Sequence, residues 1–156
     1  MFTIRADVAA AAVLAAAAAG AVVAHGRGEE ALIRSAVYQW DALEPRPTKI
    51  GLRRDVVRTP TATLAELESH ITTLDAQQFP HPPHQHPNEE LIILKEGSVE
   101  AWVNGSWVPV QTGGMIFFAS NVPHTVRNVG EVPATYYVVN WTPRDLATAS
   151  SAGAAR

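Results

Sequence analysis

The sequence predicts an all-β chain folded as an antiparallel sandwich or barrel. Apolar runs of similar short length follow one another closely between residues 61 and 141, and few segments carry a helical period. Eleven prolines and ten glycines in 156 residues favour many short elements over long helices. Asn104-Gly105, set between two apolar runs, is a strong two-residue hairpin signal.

The N-terminus reads apart from the rest. Val8 to Ala24 is almost wholly alanine and valine, after a short opening that carries Arg5 and Asp7. Small residues at Val22-Val23-Ala24 precede the polar His25-Gly26-Arg27. This is a secretory signal-peptide pattern, expected to form a helix over 1–24 and to be cleaved near Ala24. A retained alanine-rich helix is the alternative. The 17-residue stretch is poor in Leu, Ile and Phe, which argues against a permanent membrane anchor. Cleavage would leave 132 of the 156 residues in the periplasm or outside the cell. The charge balance, 12 basic against 15 acidic residues, holds no basic run and excludes an electrostatic nucleic-acid binder. With no cysteine, disulfides, thiolate metal sites and cysteine nucleophiles are excluded.

Residues 25–60 read as N-terminal strands and linker. Ala31 to Trp40 alternates weakly and predicts a leading strand, broken by Pro45 and Pro47. Lys49 to Val57 predicts a short strand with an exposed turn at Arg53-Arg54-Asp55. Residues 61–142 form the barrel. Its first segment mixes helix formers at 62–68 with the β-branched run Ile71-Thr72-Thr73, and strand is favoured. A proline-rich loop covers 79–83. Strands are expected over 90–95, 98–103, 106–110, 115–118, 124–128 and 134–141. Turns fall at Gly97, Asn104-Gly105, Gly113-Gly114, 121–123 and 130–133. The polar, alanine-rich tail 143–156 is expected to fray. Both parities of Leu91 to Leu94 and of Met115 to Phe118 are apolar. One parity lines the barrel and the other needs cover, so a homodimer is expected. The chain's own N-terminal strands are the alternative cover.

Chemistry concentrates in His81 to Gly97, which holds His81, His84 and His86 and the acids Glu89 and Glu90. His84 and His86 are two apart, so on an extended chain both imidazoles point one way. Glu90 has the same parity beyond the Pro87-Asn88 corner and can turn back to the same point. Two imidazoles and a carboxylate make most of a first-row metal site. His124 is the natural fourth ligand.

These residues resemble the two motifs of the cupin superfamily. His84-Gln85-His86, Glu90 and Gly97 match the first motif; Gly113, His124 and Asn128 match the second. The 15 residues between Gly97 and Gly113 resemble the compact spacing of small single-domain bacterial cupins. The likeness spans roughly 67–141. It departs at Gln78, Ala119 and Asn121, where the motifs have glycine, proline and glycine; Asn121 can still take positive φ. The resemblance implies a jelly-roll β-barrel in which His84, His86, Glu90 and His124 bind one divalent transition metal. Fe, Mn, Zn, Ni and Cu all accept this donor set.

Other residues carry weaker readings. His70 is an acid/base or orienting group near the site, or equally a structural histidine. His81 is a loop histidine, exposed or approaching the site. Glu89 and Arg127 face outward by parity. Phe118, Trp102 and Trp141 belong to the core or the pocket wall, with Ile92, Leu94 and Val126. The functional expectation is an exported metal-dependent enzyme, dioxygenase-like on a small oxygen-chelating molecule. A decarboxylase, an isomerase or a non-catalytic ligand-binding cupin is the alternative.

Overall fold

The computed structural model describes residues 32–144, and the segment expected to be a signal peptide and the tail from 145 lie outside them. Nine strands follow in order: β1 Arg46–Thr48, β2 Gly51–Thr59, β3 Leu64–Leu74, β4 Glu89–Glu96, β5 Ser98–Val103, β6 Ser106–Gln111, β7 Met115–Phe118, β8 Thr125–Arg127 and β9 Ala134–Pro143. Helix among the described residues is limited to one 3-10 turn, Trp40–Ala42, and the last residue, Arg144. Every strand pair is antiparallel. Six strands form one sheet in the order β1-β2-β3-β9-β4-β7, and three form a second, β6-β5-β8.

The sheets enclose one apolar core. Leu74, Ile92, Leu94, Ile116, Phe118, Ala134, Tyr136 and Val138 face inward from the larger sheet. Val99, Ala101 and Val126 meet them from the smaller one. Alternation explains which residues go inside: Ile92 and Leu94 are buried, while Leu91 and Ile93 on the other parity are only half-buried.

Turn chemistry follows the sequence at two points. Asn104 and Gly105 both take positive φ, 51° and 82°, as a type I′ hairpin requires. Gly97 has φ 82°, and a Cβ there would sit 2.9 Å from the Ala134 backbone, so β4 can turn into β5 only because this position is bare.

Four expectations are corrected. Residues 32–39 form no strand, and Val37 is 81% exposed. The Trp40 turn instead crosses the outer face of the large sheet, with Arg54 and Lys95 over its ring at 4.5 and 4.6 Å. Pro47 does not break the chain, because it sits in the three-residue edge strand β1, where a missing N–H is tolerated. Arg53-Arg54-Asp55 is not a turn: β2 runs through it and pairs with β3 from Gly51 to Thr59, with a bulge between Asp55 and Val57. The cluster survives mid-strand because Arg53 pairs with Asp55 and Glu68, and Arg54 donates to the Leu43 carbonyl. The 124–128 strand shortens to 125–127, since His124 is held by an isolated bridge and Asn128 turns its side chain inward.

Asn128 is 2% exposed and acts as an internal clamp. Its Nδ2 donates to the carbonyls of Leu74, Asp75 and Val132, at 3.1, 3.1 and 2.8 Å, and its Oδ1 accepts from the Gly130 N–H at 2.9 Å. Asn128→Ala strands these buried groups and is expected to cost about 2–4 kcal/mol. Urea denaturation should register this as a lower midpoint at unchanged m value; a midpoint equal to wild type would contradict the clamp.

Candidate metal centre

The histidine cluster is assembled by backbone pairing before any side chain is considered. His84 lies in the loop before β4, and His124 just precedes β8. They form an antiparallel bridge, with His84 N–H donating to the His124 carbonyl at 3.1 Å and His124 N–H returning at 2.9 Å. Asn121 N–H donates to the His86 carbonyl at 2.8 Å, with Asn121 at φ 58°. Asparagine in the place of glycine therefore makes the same turn.

The side chains then converge. Nitrogens of His84, His86 and His124 lie within 4.8 Å of one another, a group able to hold a metal ion. His86 Nε2 and His124 Nε2 are 3.1 Å apart. Glu90, at the start of β4, brings Oε2 to 3.7 Å from His86 Nε2. It stands beside the imidazole triad, within reach of one member.

Proton placement decides what this cluster wants. His86 Nδ1 lies 2.9 Å from the Asn88 carbonyl, and His124 Nδ1 lies 2.7 Å from the Val122 carbonyl. Carbonyls only accept, so each Nδ1 carries the hydrogen, and each neutral ring presents a lone pair at Nε2. Two lone pairs face each other across 3.1 Å. That contact is repulsive unless a cation or a shared proton lies between them. Nδ1–H donation to a carbonyl is also the usual way a ligating imidazole is oriented. Phe118 stacks on His124, centroids 4.4 Å apart at 19°, and holds its ring plane. The pKa of His84 is lowered to about 4 by desolvation and by the neighbouring rings of His81, His124 and His86. It is therefore neutral and ready to ligate through the physiological range. The residues present fit a divalent metal.

Two spaces meet at the cluster. One is a cavity of about 290 Å³ inside the barrel, walled by Ile92, Val126, Val138, Phe118, Tyr136 and Thr72. Burial pushes the Tyr136 phenol pKa well up, so it faces the cavity as a neutral group. The other, about 310 Å³, is lined by Arg53, Arg58, Glu66, Glu68, Asn88 and Asn140. Arg53, His70, His84 and Glu90 border both.

A polar network backs the second space. Glu68, 8% exposed, accepts from Arg53 at 2.8 Å, from His70 Nδ1 at 2.8 Å and from Asn140 Nδ2 at 3.0 Å. Burial acts to raise the Glu68 pKa, but the hydrogen bonds from His70 and Asn140 and the positive charge of Arg53 outweigh it. The net shift is downward, and Glu68 stays ionised. Asn140 Oδ1 in turn accepts from Asn88 Nδ2 at 3.0 Å, and the Asn88 carbonyl is the group that orients His86.

Sequence reasoning missed Arg53, Glu68, Asn88, Tyr136 and Asn140. The alternation of β3 carried a signal for one of them, since Glu68, His70 and Thr72 share a polar parity. Other placements differ in detail. His81 is exposed yet touches the cluster, its ring 4.1 Å from that of His84. Leu94 lies in the core, not in the cavity wall. Trp102 and Trp141 face away from the cavity, because they sit on the opposite parity to the inward residues of β5 and β9. Trp102 packs edge-on against Trp107 at 5.2 Å, and Trp141 stacks on Phe117 at 6.3 Å. Outward placement holds for Glu89, which accepts from Trp141 Nε1 at 2.8 Å, and for Arg127, which pairs with Glu100 at 2.8 Å.

The cupin-domain family model matches residues 70–140, a span that holds all four expected ligands. That stretch of the chain is a cupin domain. Solved structures agree on the fold. The cupin domain of Schizosaccharomyces pombe Cnp3 is 12% identical, with TM-score 0.61, covering 76% of this chain and 82% of that one. The polyketide cyclase RemF from Streptomyces resistomycificus is 19% identical, with TM-score 0.56, covering 70% and 80%. A sugar phosphate isomerase from Silicibacter pomeroyi is 19% identical, with TM-score 0.53, covering 68% and 75%. No curated protein matches the chain.

Two measurements check this cupin centre. Zinc at 100-fold excess over its dissociation constant should stabilise the chelator-stripped protein by about 2.7 kcal/mol. In His86→Ala the zinc-dependent rise in melting temperature should vanish; a persisting rise would mean that the ligand set is wrong. The second concerns pH. A carboxylate with a lowered folded pKa adds stability above its unfolded value, near 4.5 for Glu68, and loses it as pH falls through the folded value. Glu68→Gln should therefore be less stable than wild type at pH 7, and the gap should shrink below pH 4.5. A gap independent of pH would show that the charge of Glu68 does not matter.

Proposed function

We propose that this cupin is a metal-dependent enzyme acting on a small, partly apolar molecule that chelates the metal through oxygen. The observation that carries it is the pair of facing Nε2 lone pairs on His86 and His124, with His84 and Glu90 beside them, at the edge of a largely apolar cavity. Fe, Mn, Zn, Ni or Cu would suit three imidazoles and a carboxylate, and such an ion supplies Lewis acidity. His84, His86, His124 and Glu90 would hold it. Ile92, Val126 and Val138 would exclude water and seat the apolar part of the ligand. Tyr136 would remain neutral against it.

Dioxygenase-like chemistry on a diketone, phenol or organic acid is one version, supported by the donor set. Decarboxylase or isomerase chemistry is the other, supported by the ionised Glu68 and its histidine beside the cluster. Metal analysis of purified protein, followed by an oxygen-uptake screen against those compounds, separates them. Iron, copper or manganese with uptake favours the dioxygenase. Zinc without uptake sinks it and leaves the non-redox readings. A non-catalytic binder would hold a chelating ligand and turn over none.

We also propose that the protein is exported after cleavage near Ala24 and that it acts as a homodimer. The dimer reading is supported by edge strand β7, where Met115 and Phe117 are 69% and 54% exposed beside Trp141. Phe117→Arg should shift wild-type dimer to monomer in light scattering; a monomeric wild type would rule the dimer out. N-terminal sequencing of protein recovered from outside the cytoplasm should begin near His25, and retention of Met1 would refute cleavage.

A further inference from the structure

We propose that His70 accepts a proton from the small molecule held at the histidine cluster, and that Glu68 is the residue that positions it to do so. This rests on the reading of the cluster as a metal site.

Both carboxylate oxygens of Glu68 lie close to His70 Nδ1, at 2.8 and 3.1 Å. An ionised carboxylate only accepts, so Nδ1 bears the hydrogen and the neutral ring must present its lone pair at Nε2. Among the described residues no hydrogen bond reaches that Nε2, and the ring borders both spaces at the cluster. No buried side-chain nitrogen or oxygen among the described residues lacks a partner, so this unbonded Nε2 is not buried but open to the space it borders. Here one nitrogen is tied down and the other is left facing the ligand space, with the side chain only 13% exposed.

Glu68 is built to hold this arrangement. It is buried, accepts from three side chains and is charge-balanced by Arg53. It thus orients the ring and stabilises the imidazolium that forms on protonation. The placement across the sheet is also suitable. His70 on β3 and Glu90 on β4 flank β9, so their backbones stand roughly 10 Å apart and a small molecule fits between the side chains. His70 pairs with Val138, and Glu90 with Asn140, two residues along the same strand.

The class of ligand follows. It chelates through oxygen on one side and gives up a proton on the other, as a carbonyl compound with an acidic α hydrogen does. The α C–H bond breaks, and an N–H bond forms at His70 Nε2. The electron pair stays on the ligand and delocalises onto its carbonyl oxygen. Return of the proton to a different atom completes a proton shift with no oxidant or reductant.

The test uses the full chain loaded with zinc, labelled with 15N-histidine, and 2-oxobutyrate in D2O as the chelating probe. NMR should find His70 protonated at Nδ1 and bare at Nε2, and Glu68→Leu should move the proton toward Nε2. Deuterium should enter C3 of the probe, and His70→Gln should slow this by roughly 100-fold or more while zinc content stays at wild-type level. A wild-type His70 protonated at Nε2 would overturn the proposal, as would unchanged exchange in His70→Gln. Zinc-loaded wild type with no exchange would overturn proton transfer alone and leave the metal reading intact. Wild type that takes up no zinc would bring down the metal reading, and this proposal with it.

Discussion

Two imidazole lone pairs aimed at each other are the constraint on which the centre depends. Nothing in the side chains of His86 and His124 would choose a 3.1 Å approach of Nε2 to Nε2. The backbone imposes it. The His84–His124 bridge fixes where the two loops cross, and carbonyls at Asn88 and Val122 fix which nitrogen carries the hydrogen. The cost of bringing the lone pairs together is met by the strands and turns around them. Asn128 ties the 128–132 turn to the end of β3, and Gly97 lets β4 double back against Ala134. The scaffold therefore holds three imidazoles where they could take a cation, oriented in the way that ligating imidazoles usually are.

A second tension lies on the inward face of β3 and β9. Glu68, His70 and Asn140 occupy positions that barrel packing would give to apolar side chains, and Arg53 joins them from β2. Burying these groups is tolerated because they satisfy one another: among the described residues no buried side-chain nitrogen or oxygen lacks a partner. The network ends at the Asn88 carbonyl, so the polar patch and the histidine cluster share a connection. The interior is apolar toward Val126 and Val138 and polar toward Glu68, and the cluster sits where the two meet. A ligand with an apolar body and polar oxygens would match both halves.

The outer face of the large sheet is treated differently along its width. Over Arg54 and Lys95 the Trp40 turn provides cover, and Ile71 is 2% exposed although it points away from the barrel. Toward β7 the cover stops and Phe117 and Met115 are open. The chain's own N-terminal segment thus covers one end of the sheet, and a second copy over the other end is the proposal made above.

Much of the fold was legible because alternation and turn chemistry are local. The runs 90–95, 98–103, 106–110 and 115–118, the Asn104-Gly105 hairpin and the His84–His86 pair are written in residues a few positions apart, whereas His124 entered through the spacing of the second motif. What misled were segments whose state depends on distant partners. Arg53-Arg54-Asp55 looks like an exposed turn until Glu68 and the Leu43 carbonyl are opposite it, and Ala31 to Trp40 looks like a strand until its tryptophan finds Arg54 and Lys95. Trp102 and Trp141 could not be assigned a face because strand register was unknown, and register reverses every side chain. The sequence by itself determined the β class, the donor types and the pattern that brings imidazoles to one point. Only the tertiary structure decided which nitrogens face each other, which strand carries Glu68 beside His70, and which half of the outer face is covered. Those depend on pairings between residues distant in the chain, such as Glu68 with Asn140, that no local pattern encodes.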